Sequence, residues 1–185
     1  FTYTAAIASR QFTASTGILD APVIFPDAGN YQPHNYDRRY HGVCQLQVCL
    51  GNSFNIPAVK VEAAVGIPYI TNLEIAAGLT SLNDATVDGQ PRNRPYPNQY
   101  AATLGGLTYG VSPLELADGA ATIADLGVHH DPAPVLRIVD RATKVTLYTH
   151  DPATTARRVV PENVAFIIDE ITSNDSNRTL EFGRN

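Results

Sequence analysis

Ser53 and Asn55 place a hydroxyl and a carboxamide two residues apart, within the run LGNSFNIP over residues 50–57. Pro57 favours a helix start there, because a helix leaves its first N–H groups unpaired in any case. A hydroxyl on the preceding loop can relay protons, and an amide can both donate and accept hydrogen bonds. The same residue types also cap helices and turns without doing chemistry, so the pair alone fits a structural role as well as a catalytic one.

The run GNSFN over residues 51–55 nearly matches the G-x-S-x-G elbow that carries the nucleophilic serine of α/β-hydrolases. The preceding residues 44–48 alternate apolar and polar side chains like a strand, as that elbow requires. Asn55, however, stands where the elbow normally has glycine. The acid and base of a triad would have to come from Asp131, Asp140, His129, His130 or His150. A serine hydrolase with Ser53 as nucleophile is therefore one alternative.

Three ordered runs carry a more extensive match: YQPHNYD over residues 31–37, YHG over 40–42 and NSFNIPAVK over 52–60. Together they resemble the approach to the S-x-N motif of penicillin-binding transpeptidase domains, especially those of the bifunctional class A cell-wall synthases. The resemblance implies that Ser53 is a proton relay between the nucleophile and two active-site lysines. It implies that the Asn55 amide holds the side-chain amide of the substrate or of a β-lactam. It also implies a helix before Asn52 instead of a strand.

Both ends of the sequence fit the same family. The opening run FTYTAA resembles the residues that directly follow the S-x-x-K motif, and Phe182-Gly183 resembles the approach to the K-T-G motif. The resemblance implies that the nucleophilic serine and its activating lysine immediately precede Phe1, and that K-T-G lies just beyond Asn185. Lys60 follows the S-x-N motif inside a helix and is a poor substitute for either lysine. We therefore expect residues 1–185 to be a single partial domain that is inactive alone.

A second match lies farther along the chain, at LGG over residues 104–106 and PLELA over 113–117. Ser112 and Glu115 form the sequence pattern of a capping box, with Pro113 at the first helical position. The run DGA over residues 118–120 departs from the Ser-Ala-Tyr usual in the family. This loss of an aromatic residue predicts altered packing around the helix and no change in the catalytic groups.

The residue patterns predict a mainly α fold with a small β-hairpin. Apolar periodicity and capping residues predict the helices, at about residues 1–8, 59–65, 68–77, 113–126 and 161–172. Two β-rich runs around a polar turn predict the hairpin, at about residues 134–149. The Pro- and Gly-rich residues 84–100 predict a surface loop, in which Arg92 and Arg94 are solvated or meet an acidic substrate tail. By resemblance, this is the helical part of the penicillin-binding transpeptidase (β-lactamase-like) fold.

Composition limits the class of protein and of partner. The chain has 185 residues, of which 44% are hydrophobic and 17% charged, and this is typical of one globular domain. A net charge of -5 and a pI near 5.4 argue against nucleic acid as a partner. No apolar run reaches the roughly 20 residues that span a bilayer. Any export signal or anchor would therefore lie outside these residues, and the resemblance implies a membrane-anchored parent that acts outside the cytoplasmic membrane.

Cys44 and Cys49 are the two cysteines of the chain. On one helix their Cα atoms would be too far apart to bridge, and on one strand their side chains would point to opposite faces. Neither cysteine has the C-x-x-C spacing of a redox or zinc site. We therefore expect two free, largely buried thiols.

We expect neither a metal nor an organic cofactor. The aromatic and imidazole residues of the first half share no predicted face; they are Tyr31, Tyr36, Tyr40, His34 and His41. The adjacent residues 129–131, with sequence HHD, cannot all face one ion. Acyl transfer requires only positioned acids, bases and oxyanion donors.

The resemblance implies a peptidoglycan D,D-transpeptidase that cross-links stem peptides through a serine acyl-enzyme. Its partners would be D-Ala-D-Ala stem peptides, β-lactams and the remaining parts of the transpeptidase domain. The alternatives are the serine hydrolase and a non-catalytic helical interaction module. The conformation of residues 44–50 discriminates between the two enzymes. A strand that runs into a strained turn at Ser53 would indicate the hydrolase, and a helix followed by a loop would indicate the transpeptidase.

Overall fold

Seven α-helices form most of the regular structure that the computed structural model describes. It describes residues 1–26, 30–83, 86–87, 90–91, 100–107 and 110–183. The helices are α1 (Thr2–Ala8), α2 (Leu46–Gly51), α3 (Asn55–Val65), α4 (Ile67–Ala76), α5 (Pro113–Ala124), α6 (Glu162–Ser173) and α7 (Thr179–Phe182). The mainly α prediction is confirmed.

Eight short strands pair into four separate two-stranded antiparallel sheets. The strands are β1 (Gly17–Asp20), β2 (Gly42–Gln45), β3 (Thr86–Val87), β4 (Gln90–Pro91), β5 (Val128–His129), β6 (Arg137–Val139), β7 (Thr146–Thr149) and β8 (Arg157–Arg158). β1 pairs with β2, β3 with β4, β5 with β8 and β6 with β7. The β6–β7 pair is the small hairpin expected from the sequence, and the other three pairs were not predicted.

The hydrophobic core lies where α1, α2, α3 and α6 meet. Helix α1 is buried from Thr2 to Ile7, and its Ala5 and Ala6 have no exposed surface, so small side chains let the neighbouring helices approach closely. The apolar stripe of α6 faces α1 and α2, with Val164, Ala165 and Ile168 buried. Burial of this stripe contributes to the hydrophobic stabilisation of the fold.

Helix α5 begins as its sequence predicts. The Ser112 hydroxyl accepts a hydrogen bond from the Glu115 backbone N–H at 3.2 Å, and the Glu115 carboxylate accepts one from the Ser112 N–H at 2.8 Å. This reciprocal pair is a capping box, and Pro113 occupies the first turn. Glu115 also binds the Ser81 N–H at 2.6 Å, so the cap ties α5 to the turn that follows α4.

The prediction of free thiols is wrong, because Cys44 and Cys49 form a disulfide across a Cα–Cα distance of 5.7 Å. The chain is extended through Gln45 and becomes helical at Leu46. Both geometries considered from the sequence, one continuous helix and one continuous strand, are therefore wrong. Since one turn of helix brings Cys49 back over the end of β2, the two sulfurs meet.

Residues 44–50 begin as a strand and continue as a helix that leads into the Ser53 turn. By the criterion set above, a helix followed by a turn indicates the transpeptidase. The predicted loop at residues 84–100, including Arg92 and Arg94, lies largely outside the described residues. In the part of the chain that the structure describes, we find no helix with the length and apolarity needed to cross a bilayer.

Candidate active-site cleft

The Ser53 turn connects α2 to α3. Helix α2 ends at Gly51, and Ser53 adopts the left-handed conformation, with φ of 56°. The Ser53 N–H donates to the Leu50 carbonyl at 2.9 Å, and the Phe54 N–H donates to the Cys49 carbonyl at 3.1 Å. These bonds hold an unfavourable backbone conformation for a residue with a side chain, which is a feature often found at functional sites. The Ser53 side chain is exposed while Phe54 is buried.

Ser53 and Asn55 line one cleft of about 200 Å³. One wall is formed by the start of α1, with Phe1, Thr2 and Tyr3. The structure therefore brings the two predicted site residues to one cleft with the start of α1.

Helix α3 begins at Asn55, two residues before the start that Pro57 predicts, so the prediction that Asn55 lies on the preceding loop is wrong. The Asn55 side-chain Nδ2 donates to the His34 carbonyl at 2.7 Å. That bond orients the amide and leaves Oδ1 as an acceptor and the second N–H of Nδ2 as a donor for a ligand. The half-buried Asn55 side chain lies at the cleft rim.

Asn35 caps α3 from a distant part of the chain. Its Oδ1 accepts from the Asn55 N–H at 3.0 Å and from the Ile56 N–H at 3.4 Å. The N-cap residue of α3 is Phe54, whose side chain makes no capping hydrogen bond. Asn35, which lies 20 residues before the helix start, supplies the cap instead. Asn35 belongs to the YQPHNYD run, but nothing in the sequence indicates this capping role.

Asp20, at the end of β1, fixes Asn35 in turn. Its Oδ2 accepts from Asn35 Nδ2 at 2.8 Å and from the His41 N–H at 2.8 Å. Asp20 has no exposed surface, so these two donors offset part of the cost of burying the carboxylate, whose Oδ1 has no hydrogen-bond partner among the described residues. The chain of bonds from Asp20 through Asn35 to Asn55 positions the second residue of the S-x-N motif.

Asn52 connects the same turn to the C-terminal helices. Its Oδ1 accepts from the backbone N–H groups of Leu180 and Glu181, at 2.8 and 2.9 Å, and its Nδ2 donates to the Asn177 carbonyl at 2.6 Å. Gly51 permits this contact, because a Cβ there would lie 2.6 Å from the Asn177 carbonyl oxygen. No pattern in the sequence predicts this side-chain contact, because its partners lie far apart along the chain.

Glu62, a buried residue of α3, supports Thr103 in the lining of the cleft. Its Oε1 accepts from the Thr103 N–H at 3.0 Å, and Thr103, which lines the cleft, hydrogen-bonds through its hydroxyl to Thr2. Burial raises the pKa of Glu62 to about 8; the Thr103 N–H opposes the shift and the nearby Glu74 adds to it. Its other oxygen, Oε2, is buried without a hydrogen-bond partner among the described residues.

The triad candidates lie away from the cleft. His129 is buried and its Nε2 lies 2.9 Å from Asp118 Oδ2, while His130 Nε2 lies 2.9 Å from Asp125 Oδ2. Among the described residues, no histidine and no carboxylate lines the cleft that contains Ser53. The geometry does not support a Ser-His-Asp hydrolase with Ser53 as nucleophile.

Lys60 does not reach the cleft either. Its ammonium group donates to the Leu19 carbonyl at 2.6 Å and tethers α3 to the end of β1. This position agrees with the expectation that Lys60 cannot replace a catalytic lysine.

Comparison with known proteins identifies the family. The model of the penicillin-binding protein transpeptidase domain matches residues 1–180. Penicillin-binding protein 1B of Escherichia coli is 31% identical over 171 residues, which cover 90% of this chain and 18% of that protein. Penicillin-binding protein 1A of Clostridium botulinum is 28% identical over 172 residues, which cover 89% of this chain and 19% of that protein. The chain thus spans less than a fifth of the length of these relatives.

Solved structures share the fold. Penicillin-binding protein A of Mycobacterium tuberculosis gives a TM-score of 0.77 at 21% identity, over 96% of this chain and 43% of that one. The imipenem acyl-enzyme complex of the same protein gives 0.74 at 22% identity, over 92% and 40%. Penicillin-binding protein 1A of Haemophilus influenzae gives 0.71 at 24% identity, over 92% and 28%. On this evidence, the chain belongs to the penicillin-binding protein transpeptidase family.

Proposed function

We propose that this chain supplies the S-x-N element of a peptidoglycan D,D-transpeptidase, with Ser53 and Asn55 as its site residues. The observation that carries the proposal is the shared cleft, in which both residues face the start of α1. In the reaction implied by the family, the serine of an S-x-x-K motif attacks the D-alanyl-D-alanine carbonyl and D-alanine leaves. A stem-peptide amine then resolves the acyl-enzyme into a cross-link.

The two site residues have different roles. The Ser53 hydroxyl relays a proton toward the leaving amine, and the left-handed turn exposes it at the cleft. The Asn55 amide holds the side-chain amide of the donor peptide or of a β-lactam, and its bond to the His34 carbonyl keeps it oriented for this contact. The imipenem complex of the structural neighbour supports β-lactams as ligands of this fold.

The disulfide supports a location outside the cytoplasmic membrane. Disulfides persist in oxidising compartments and are rare in a reducing cytosol. The bond between Cys44 and Cys49 therefore agrees with a parent protein that is membrane-anchored and works on the cell wall, among stem peptides and the other parts of its own domain.

We expect the 185-residue chain by itself to form no covalent β-lactam adduct, because its sequence contains neither an S-x-x-K nor a K-T-G run. Fluorescent penicillin incubated with the purified chain tests this. Stoichiometric labelling that disappears in Ser53→Ala would contradict the proposal and would restore Ser53 as the nucleophile.

The decisive experiment uses this chain joined to segments that carry the S-x-x-K and K-T-G motifs. We expect both Ser53→Ala and Asn55→Ala to slow β-lactam acylation, and the loss of the Ser53 relay should cost about 100-fold or more in rate. The unfolding free energy of each variant should change by about 1 kcal/mol or less. Ser173→Ala and Asn163→Ala, both exposed on α6, are matched controls that should change neither quantity. Normal acylation in Ser53→Ala would reduce Ser53 to a turn residue.

The role of Asn55 has its own test. Acylation by a β-lactam that lacks the side-chain amide should be nearly equal in wild type and Asn55→Ala, since the proposed hydrogen bond is then absent from both. An equal loss of rate with both kinds of β-lactam would contradict the role assigned to Asn55.

A further inference from the structure

Asp37, His41 and Glu181 bring one imidazole nitrogen and two carboxylate oxygens within 4.8 Å of one another. Asp37 and His41 lie in the loop before β2, and Glu181 lies in α7 near the other end of the chain. We propose that these three residues form a binding site for a divalent transition-metal ion of the zinc type, next to the Ser53 turn. The sequence did not indicate this site, because its third ligand comes from a distant segment.

The His41 ring is already held in one orientation. It stacks on Phe54 with 4.1 Å between ring centroids and 9° between planes, and its backbone N–H is bound to Asp20. Nε2 is buried and makes no hydrogen bond among the described residues, although Asp37 Oδ2 is 3.2 Å away. Asp37 is therefore an ion-pair contact of this nitrogen and not a hydrogen-bond partner, so Nε2 is left without a well-aligned polar partner.

Charge supports the same conclusion. The Asp37 and Glu181 carboxylates lie close together, and among the described residues the ion-pair contact of Asp37 is with His41 and neither carboxylate forms a salt bridge with lysine or arginine. Two neighbouring carboxylates repel each other unless a proton or a cation lies between them. A metal ion bound there would relieve this repulsion and take the imidazole nitrogen as a third ligand.

The donor set selects the kind of ion. One imidazole nitrogen with two carboxylate oxygens suits zinc, whereas calcium and magnesium prefer oxygen ligands alone. Three protein ligands also leave a fourth position for water, as in open zinc sites.

The position of the site gives the ion a structural effect. Phe54 follows Ser53 and stacks on His41, while the Glu181 N–H is bound to Asn52, which precedes Ser53. A bound ion would therefore connect the loop before β2 to α7 across both neighbours of Ser53. Binding should stabilise the folded chain by mass action.

The test is a zinc titration of the full chain after removal of metals with a chelator, followed by calorimetry and thermal unfolding. We expect one saturable zinc site, a rise in Tm with zinc, and no comparable effect of magnesium or calcium. Loss of a supporting group at a metal site costs about 10- to 100-fold in affinity, and loss of a ligand should cost no less. His41→Phe, Asp37→Asn and Glu181→Gln should therefore each weaken binding by at least about 10-fold.

The variants separate the possible outcomes. His41→Phe keeps a ring against Phe54, so it removes the ligand while preserving the stack. Glu181→Gln changes a partly exposed residue and tests the site should His41→Phe fail to fold. His130→Gln, in the other histidine cluster, is the control and should bind zinc like wild type. The proposal is overturned by absence of saturable binding, by unchanged affinity in Glu181→Gln, or by loss of binding in His130→Gln alone.

Discussion

The Ser53 turn and the β6–β7 hairpin are both turns between regular elements, but different interactions hold them. Around the Ser53 turn, Asn52 binds residues near the C terminus, and Asn35 caps the next helix from an earlier loop. In the hairpin, the Asp140 carboxylate accepts hydrogen bonds from the nearby residues Ala142 and Thr143, and both strands are exposed throughout. Side-chain hydrogen bonds between distant residues therefore hold the Ser53 turn, whereas hydrogen bonds between neighbouring residues hold the hairpin turn.

This difference predicts how far the effect of a substitution spreads. Removing a side chain near the cleft should disturb several segments at once, because each bond there joins parts of the chain that are distant in sequence. Removing one in the hairpin should disturb the hairpin alone. Three substitutions test this contrast.

Asn35→Ala should have the largest effect on stability. It removes the cap from the Asn55 and Ile56 N–H groups and takes a donor from the buried Asp20 carboxylate. Leaving buried polar groups unpaired costs about 1–3 kcal/mol each, so we expect a loss near 3 kcal/mol and a fall in Tm of roughly 10 °C. Thermal unfolding measures it, with Asn163→Ala on exposed α6 as the control. A fall as small as that of the control would mean that Asn35 does not hold the turn.

Glu62→Gln should have an intermediate effect that depends on pH. The pKa of about 8 in the folded chain exceeds the ordinary value of about 4.5, so between these values the unfolded chain loses this proton first. The Glu62 contribution to stability therefore falls as pH rises from about 4.5 to 8. Gln keeps the acceptor for Thr103 but cannot ionise, so the variant should lack this part of the decline.

The measurement for Glu62 is Tm against pH for wild type, Glu62→Gln and the exposed control Glu170→Gln. Between pH 5 and pH 8 we expect the stability of Glu62→Gln to rise relative to that of wild type by roughly 3 kcal/mol, or about 6–10 °C in Tm. Parallel pH curves for wild type and Glu62→Gln would show that this carboxyl does not retain its proton in the folded chain.

Asp140→Ala should have the smallest effect. Hydrogen bonds from the Thr143 N–H and hydroxyl lower the pKa of the exposed Asp140 carboxyl. Its contribution is therefore present above the ordinary Asp pKa and disappears as pH falls below it. We expect Tm to change by less than about 2 °C, with faster amide exchange confined to the hairpin. A drop comparable to that of Asn35→Ala would remove the contrast between the two turns.

Local sequence chemistry predicted several parts of the molecule correctly. The capping box at Ser112, the helix after Pro161 and the hairpin depend on neighbours within a few residues, and each formed as expected. The S-x-N run was located by resemblance and lies at a cleft, although the catalytic roles of Ser53 and Asn55 remain predictions.

The disulfide shows where local reasoning failed. Neither a continuous helix nor a continuous strand from Cys44 to Cys49 allows the bond. The chain changes from strand to helix at Leu46, and the bond forms across this junction. That change occurs because β2 pairs with β1, whereas the following residues bury Leu46 and Cys49 in the helical core. Tertiary contacts on either side of the junction decide the local conformation.

The sequence by itself thus determined the family, the helical character and the residues of the S-x-N motif, since short-range patterns and ordered motifs encode these. Only the tertiary structure decided that Asp20 holds Asn35, that Asn52 holds α7, and that Glu62 supports the cleft wall. The physical reason is that a buried polar group must find a partner wherever the fold places one. Which partner this is depends on the packing of segments far apart in the chain, and no spacing in the sequence records it.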